Sequence, residues 1–296
     1  MSVSSLTQLI QSILPEPHAG LLAGMLFGVK SGMSSELYEA LVATGTLHIV
    51  ALSGTNISII MILIAGTVQK YFSRRVTSLL TIIVIGIFVF FVGPSPSVVR
   101  ASIMGSLSLL SIVLGRRNWG LWGLFIASIT MLAFKPGLII DVSFQLSVGA
   151  TLGMMLFYSS KKVKLPRLLG VENIILVDYQ NGSKYQSELK IKIFNYVKFG
   201  IQVLYDNFRL TLAAQTFTIP LILIHFHRMS LISPVPNMLI GFILPPLTGL
   251  GFMTVGLALL FRPLGQMFAW VAWVFLEYIV LVVEIFSKIP FSNIKL

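Results

Sequence analysis

Long uninterrupted apolar runs constrain this chain more than any other feature. Of its 296 residues 56% are hydrophobic and 10% are charged, whereas a soluble domain carries about 25% charged residues. A helix needs about 20 apolar residues to cross the hydrocarbon layer of a bilayer. The segments that approach or exceed that length are residues 46–68, 76–92, 97–114, 119–134, 142–158, 211–226 (with a start as early as 201), 231–261 and 265–287. The sequence therefore predicts an all-α fold, a polytopic helical bundle in a membrane.

Two regions do not fit simple spanning helices. Residues 1–45 begin with an amphipathic stretch and continue with an apolar run, 19–29, which is too short to span and predicts a re-entrant or interfacial segment. The run 231–261 contains Pro234, Pro236 and the Pro245-Pro246 pair, which predict a broken helix. We therefore divide the chain into an N-terminal amphipathic or re-entrant segment, 1–45, and a membrane domain, 46–296, which contains a basic loop at about 159–200.

Loop charges predict the orientation of the chain. The formal net charge is +11, and Lys and Arg concentrate in residues 69–75, 115–118 and 159–200. These loops alternate with the nearly neutral loops 93–96 and 135–141. The positive-inside rule places the basic loops in the cytoplasm, so the first span enters the membrane from outside. Most of the net positive charge then follows from the positive-inside rule for a protein of the cytoplasmic membrane. Because the first basic residue is Lys30, we expect no cleavable signal peptide.

Polar residues inside the predicted spans are the candidates for function, because a polar group in hydrocarbon is costly unless it is paired or faces water. On a continuous first helix, Thr44, His48 and Thr55 share one face and Asn56 lies beside it. The set favours a hydrated cavity, although interhelical hydrogen bonding would explain each residue singly. Glu277 lies deep in the last span, where we expect it to face the bundle interior.

A proline-containing turn leads into the third span, and Arg100 lies about one turn inside it. A helix N-terminus with an Arg is typical of an anion site. The alternative is an ion pair with Asp141, and the two readings are compatible if the pair also lines a path. Asp141 is an expected N-cap that shares a face with Gln145, while Gly149 and Gly153 predict a small-residue surface for close helix packing.

The sequence predicts no enzyme, no metal site and no cofactor. The absence of cysteine excludes disulfides and thiolate ligands. His225 and His227 alone are more typical of an interfacial cluster than of a metal site. An intramembrane hydrolase would need Ser53 as nucleophile and His48 as base, but five residues apart on one helix they point about 140° away from each other.

Four stretches, in this order, resemble the membrane competence domain of the ComEC family of DNA-uptake channels. They are Gly45-x-x-His48-x-x-Ala51-Leu52-Ser53-Gly54, Pro96-Ser97-x-x-Arg100-Ala101, Asp141-Val142-Ser143-Phe144-Gln145-Leu146-Ser147, and a late segment with Pro220, Ser230-Leu231, Asn237 and Pro245. The resemblance covers about residues 14–290. The sequence departs from many relatives in having Asn56 where they carry a His. It has no His-x-His-x-Asp-His cluster, so we expect neither the nuclease domain nor the OB-like domain of longer members.

The resemblance implies a membrane channel that translocates single-stranded DNA across the cytoplasmic membrane during natural competence. The residues expected to line the channel are His48, Ser53, Asn56, Arg100, Asp141, Gln145, Asn237 and Glu277. Under this hypothesis Arg100 and the adjacent helix N-terminus meet incoming phosphates, Asp141 orients Arg100, and the proline-broken segment forms a constriction.

Beyond DNA and the lipid bilayer, the implied partners are a separate DNA receptor, a nuclease and a cytoplasmic helicase motor, because the sequence has no phosphate-binding loop of its own. A homo-oligomer is compatible with the sequence. Two alternatives remain open. One is a small-solute or ion-coupled membrane transporter, in which Glu277 would serve the coupling. The other is a structural partner whose own pore is closed.

Overall fold

The computed structural model describes residues 2–29, 32–50, 54–115, 120–158, 182–226, 228–230, 232–289 and 294–295. Over residues 182–199, 228–229 and 294–295 it describes the backbone only. Helices dominate these ranges, which confirms the predicted all-α polytopic bundle. The helices are α1 (Val3–Ile13), α2 (His18–Phe27), α3 (Ser35–Ala43), α4 (Gly54–Val68), α5 (Arg74–Val92), α6 (Pro96–Val113), α7 (Gly120–Phe134), α8 (Val142–Phe157), α9 (Gly182–Phe226), α10 (Pro234–Gly241), α11 (Leu244–Leu260) and α12 (Arg262–Ser287). Short 3-10 helices cover Leu47–Ile49 and Pro136–Ile139, and the strands are β1 (Arg228–Met229) and β2 (Ile294–Lys295).

Helix length and hydropathy identify a multi-pass membrane protein. Within the described residues, α5, α6, the Gly200–Phe226 part of α9, and α12 are long and apolar enough to cross a membrane. The pair α10 and α11 adds one more span if it is taken together across its 51° bend. Large apolar side chains face outward, such as Ile83, Ile87 and Phe90 on α5. Such a surface would aggregate in water but suits contact with lipid.

The helix directions follow the alternation that the loop charges predict. Glycines mark where helices touch: a methyl group on Gly54 of α4 would meet Ala101 of α6, and one on Gly105 of α6 would meet Met61 of α4. Contacts therefore advance along both helices together, so α4 and α6 run parallel. Strand β1 follows α9, strand β2 follows α12, and the two pair antiparallel. This pairing brings the C-terminal ends of α9 and α12 to one side of the bundle.

The first predicted span is not one helix. Helix α3 ends at Ala43, Gly45 adopts a left-handed φ of 68°, and a 3-10 helix, Leu47–Ile49, precedes α4. The hydroxyls of Thr44 and Thr46 hydrogen-bond each other at 2.7 Å, and Thr44 donates to the Ala40 carbonyl at 2.8 Å. Such local bonds compete with a continuous helix. The predicted single helical face of Thr44, His48 and Thr55 is therefore wrong.

Helix α2 is a short buried helix from which the chain turns back. All ten of its residues are buried, and it ends at Gly28, whose φ of 70° lies in the left-handed region. After the turn the chain returns beside the helix start, since a methyl group on Gly20 would lie 2.9 Å from the Gly32 carbonyl oxygen. Apolar residues of α1, α2 and α3 form one core with those of α10, α11 and α12.

The region predicted as a basic loop at 159–200 is only partly described. Residues 159–181 lie outside the described ranges, and from Gly182 the backbone is helical as the start of α9. Helix α9 continues to Phe226 and contains Pro220. It packs along α8 and α10, so it forms one wall of the bundle behind the broken helix pair.

Candidate functional site

A small cavity with a mixed polar and apolar lining lies where four parts of the chain meet: the end of α2, the Leu47–Ile49 helix, the start of α4 and the start of α11. Its volume is about 110 Å³, and its lining residues are Met25, His48, Ile49, Thr55, Asn56, Leu244 and Thr248. Since one water occupies about 30 Å³ of liquid volume, the cavity has room for a few waters. Binding sites for drug-sized ligands are roughly 300–1,000 Å³, so this cavity is too small for such a ligand.

Asn56 ties the first turns of α4 to the end of α2. Its side chain is 3% exposed, and Nδ2 donates to the Met25 carbonyl at 2.8 Å. Met25 lies in the last turn of α2, where helix carbonyls lack partners within the helix. Asn56 therefore satisfies an orphan carbonyl and fixes one wall of the cavity.

His48 projects from the 3-10 helix at the exposed side of the cavity. Its Nδ1 lies 3.3 Å from the Gly45 carbonyl oxygen. A carbonyl only accepts hydrogen bonds, so this contact requires the proton on Nδ1. When the ring is neutral, this tautomer leaves Nε2 as an acceptor for water or for another donor.

The predicted break in the apolar run 231–261 is confirmed, and it forms the opposite wall. Helices α10 and α11 meet at a 51° bend. Pro245 and Pro246 fall in the first turn of α11, where a missing N–H costs nothing, but they could not continue α10 because proline disrupts a helix interior. The break places Thr248, which is 3% exposed, at the cavity with its hydroxyl donating to the Leu244 carbonyl at 2.8 Å.

Arg100 lies beside Gly54, which is the first residue of α4 and precedes Asn56 by two positions. It is 9% exposed, and its Nε and Nη1 atoms are buried without a hydrogen-bond partner among the described residues. A methyl group on Gly54 would lie 3.6 Å from Arg100 Nη2. The buried guanidinium thus sits at the N-terminal end of α4, close to the cavity wall.

The ion pair between Arg100 and Asp141 is wrong, since no such pair forms in the part of the chain that the structure describes. Asp141 is instead exposed and accepts a hydrogen bond from the Phe144 N–H at 3.0 Å, as the predicted N-cap of α8. Gln145 donates from Nε2 to the Ile139 carbonyl at 2.7 Å and closes the Pro136–Ile139 turn. Both side chains serve the local turn, and neither reaches the cavity lining.

Glu277 contacts a residue that the sequence analysis missed. Its Oε2 lies 2.6 Å from Nε2 of His18, with side-chain exposures of 37% for Glu277 and 8% for His18. The His18 ring also packs against Trp273, with 5.4 Å between ring centroids. The pair joins α2 to α12, away from the cavity lining. A histidine at the edge of an apolar run was the available sequence signal for it.

Asn237 lies on the α10 side of a polar seam with α9. Its Oδ1 is buried and has no partner in the described ranges. Four residues earlier, Ser233 accepts a hydrogen bond from Gln215 Nε2 at 2.8 Å. Gln215 was not among the predicted site residues, although a lone Gln within an apolar segment signals an interhelical bond.

Ser53, which was also predicted to line the channel, lies outside the described residues.

The structure therefore brings together some of the predicted site residues and separates others. His48 and Asn56 share the cavity, and Arg100 lies at the same end of α4. Asp141 and Gln145 cap neighbouring turns, Asn237 lies in the α9–α10 seam and Glu277 holds α2.

A larger surface depression of about 250 Å³ is lined by Leu121, Trp122 and Phe125 on α7, where apolar rings suit contact with lipid.

The long apolar helices, the bent pair α10–α11 and the buried helix α2 packed against them define a multi-pass helical membrane protein. The Competence protein family matches residues 25–296, and the chain belongs to this family. This match confirms the resemblance to the ComEC-family competence domain.

Two relatives extend the comparison. ComE operon protein 3 of Bacillus subtilis (strain 168) is 25% identical over 232 residues, which cover 77% of this chain and 25% of that protein. An uncharacterized protein of Aquifex aeolicus (strain VF5) is 29% identical over 132 residues, which cover 44% of this chain and 31% of that protein. The matches span between a quarter and a third of each relative's length. No solved structure matches the chain.

Proposed function

We propose that this chain is a membrane channel that translocates single-stranded DNA across the cytoplasmic membrane during natural competence. The observation that carries the proposal is the small cavity between α2, α4 and α11 in a member of the Competence protein family. Irregular backbone at membrane depth is tolerated where it is buried in protein or lines a water-filled cavity. A helix break beside a partly polar cavity is what a hydrated passage through a bilayer requires.

The conformation described here is closed to a nucleic acid strand. A cavity of about 110 Å³ admits water but no nucleotide, so translocation requires the cavity walls to separate. Contacts that hold the walls are few and specific, such as the Asn56–Met25 hydrogen bond. Opening would move the end of α2 and the start of α11 apart, which the bend between α10 and α11 permits without breaking a continuous helix.

The proposal includes partners. A passage alone provides no direction, so a cytoplasmic helicase motor would pull the strand, while a separate receptor would deliver DNA and a nuclease would remove the second strand. Under this proposal the chain itself catalyses no reaction. A complex of several copies of the chain is compatible with the proposal, since the cavity described lies within one chain.

The experiment fills the cavity from its exposed side. Thr55 lines the cavity and is exposed, so Thr55→Phe adds volume there with little effect on the core. Ser58→Phe is the matched control, because Ser58 is exposed on the same helix and its hydroxyl bonds only to the Gly54 carbonyl, at 3.3 Å. With equal protein in the membrane, we expect Thr55→Phe to lower transformation frequency severely and Ser58→Phe to leave it near wild type. Equal frequencies for both variants would contradict the proposal.

The His18–Glu277 pair favours one alternative, an ion-coupled transporter of a small solute. Ionisable residues that pair inside a membrane protein mark proton or ion pathways in many transporters. The two functions differ in a simple measurement. A transporter would give ion-dependent solute flux in proteoliposomes, lost in Glu277→Gln, in a strain whose transformation does not depend on this chain.

A further inference from the structure

Arg100 is a buried cation without a counter-ion among the residues that the structure describes. Its guanidinium is 9% exposed, and Nε and Nη1 lack hydrogen-bond partners in the described chain. Residues 51–53, which lead into α4, are Ala, Leu and Ser and carry no acid. Burying an unpaired charge costs several kcal/mol, so natural proteins neutralise it. Since the described residues offer no counter-ion, the guanidinium is suited to binding an anion.

The guanidinium lies beside the N-terminus of α4, and the N-terminus of α6 lies on the same side of the bundle. Arg100 Nη2 lies 3.6 Å from the place a methyl group on Gly54 would occupy, at the first residue of α4. Arg100 itself lies one turn inside α6, whose N-cap, Ser95, makes no capping hydrogen bond and has a buried hydroxyl without a partner in the described residues. Because α4 and α6 run parallel, their unpaired N–H groups and positive dipole ends lie on the same side. Such ends bind phosphate-like anions.

Gly54 lets the guanidinium and α6 lie close to the start of α4. A methyl group there would lie 3.1 Å from the Ala101 Cβ, which is closer than side chains normally pack. The small residues Gly54 and Ala101 therefore let α4 and α6 approach and leave the guanidinium next to the N–H groups of α4. A larger residue at 54 would clash with Ala101 and push the helices apart.

We propose that Arg100 and the N-terminal ends of α4 and α6 form a binding site for one phosphodiester monoanion of a DNA strand at the mouth of the passage. The identity of the ligand rests on the proposed function, whereas the suitability for an anion rests on the geometry alone. A phosphodiester carries one charge and two free oxygens, which suits one guanidinium and free N–H groups. The site reads the backbone and no base, so it accepts any sequence.

The test is oligonucleotide binding by the full chain in nanodiscs of zwitterionic lipid. The probe is a fluorescent oligothymidylate, and affinity is measured over a series of salt concentrations. For Arg100→Met we expect affinity to fall by at least about tenfold, which corresponds to about 1.4 kcal/mol. We also expect the slope of log K against log salt to lose about 0.7, the value for one phosphate contact on a single strand. Arg100→Lys should retain most of the slope, and Lys135→Gln, an exposed loop variant, should change neither quantity.

A second probe tests the same contact by removing charge from the DNA strand. An oligothymidylate with one central methylphosphonate carries one neutral linkage, and a fully methylphosphonate strand carries none. Wild-type protein should bind the fully substituted strand no more tightly than Arg100→Met binds the same strand. Equal binding of charged and neutral strands by wild type, or equal binding of the charged strand by wild type and Arg100→Met, would overturn the site.

Protein stability gives an independent check that the variant is folded. Removing an unpaired buried charge should raise the melting temperature without DNA, and added oligothymidylate should raise it for wild type but not for Arg100→Met. Loss of the Arg100 effect on binding when discs contain phosphatidylglycerol would show that a lipid phosphate occupies the site, against the assignment to DNA.

DNA binding and transformation together distinguish failure of the anion site from failure of the channel proposal. If Arg100→Met binds DNA like wild type while Thr55→Phe abolishes transformation, the anion site is wrong and the channel remains. If Arg100→Met loses binding while both variants transform normally, the site binds an anion but the chain is not the channel.

Discussion

The imidazole of His18 in α2 and the carboxylate of Glu277 in α12 meet with 2.6 Å between Nε2 and Oε2. These residues are 259 positions apart in the chain, and their contact fixes the start of the buried helix α2 against the last span. Trp273 packs on the same imidazole. Helix α2 therefore has an anchor at each end: this pair at its start and the Asn56–Met25 hydrogen bond in its last turn.

The first prediction concerns that anchor. His18→Phe keeps a ring against Trp273 but removes the polar contact, and Glu277→Gln removes the charge. We expect each variant to lower the free energy of unfolding in mixed micelles, and the double variant to lower it by less than the sum, with a coupling of about 0.5–3 kcal/mol. Amide hydrogen exchange should accelerate in α2. Strictly additive effects would mean that the pair contributes nothing beyond its separate packing.

The second prediction concerns the contact between α8 and α9. A methyl group on Gly153 would overlap the Ala213 carbonyl oxygen, which belongs to backbone and cannot turn aside. We expect Gly153→Ala to destabilise the protein by about 1–3 kcal/mol, as overpacking does. Gly149→Ala is the control on the same helix face, because its methyl group would meet Leu221 and Phe217 at an ordinary 3.4 Å. Thermal unfolding in detergent distinguishes them, and a Gly149→Ala effect as large as that of Gly153→Ala would contradict the described packing.

The third prediction separates stability from function at Asn237. Its buried Oδ1 lacks a partner in the described chain, and an unsatisfied buried acceptor costs about 1–3 kcal/mol. We expect Asn237→Leu to unfold at the same or a higher temperature than wild type, yet to transform poorly if the amide lines the open passage.

Gln215→Leu is the contrasting variant for Asn237→Leu. It removes a made hydrogen bond and leaves the buried Ser233 hydroxyl without its donor, so it should unfold at a lower temperature. A lower melting temperature for Asn237→Leu than for Gln215→Leu would show that the Asn237 amide is satisfied.

The fourth prediction concerns orientation. The chain contains no cysteine, so single substitutions can be labelled without a background. Lys135 and Lys70 are both exposed, and the predicted topology places their loops on opposite sides of the membrane. We expect Lys135→Cys to react with a membrane-impermeant maleimide in spheroplasts, and Lys70→Cys to react only after the membrane is permeabilised. The reverse pattern would invert the whole topology, including the side at which Arg100 lies.

Local signals in the sequence predicted local structure well. Pro96 begins α6, Asp141 caps α8, and the Pro245-Pro246 pair marks the break before α11, because each acts within one helical turn. The apolar runs likewise predicted a helical membrane protein, and the ordered motifs predicted its family.

Contacts between distant segments were not predictable in the same way. Asp141 was a reasonable partner for Arg100 by charge, but its carboxylate is used by the backbone of its own helix, a competition that composition does not reveal. The predicted helical face of Thr44, His48 and Thr55 was wrong because Gly45 takes a left-handed φ and Leu47–Ile49 forms a 3-10 helix, which short-range sequence patterns did not reveal. His18 escaped notice because its partner depends on how α2 folds back against α12.

The small volume between α2, α4 and α11 has a consequence for the cell that carries this protein. A permanent hole wide enough for a polynucleotide would also let protons and sodium leak down their gradients. If the chain is the proposed channel, the small volume that Met25, Ile49 and Leu244 help to line means that the resting protein would preserve the membrane potential until an arriving strand separates the walls.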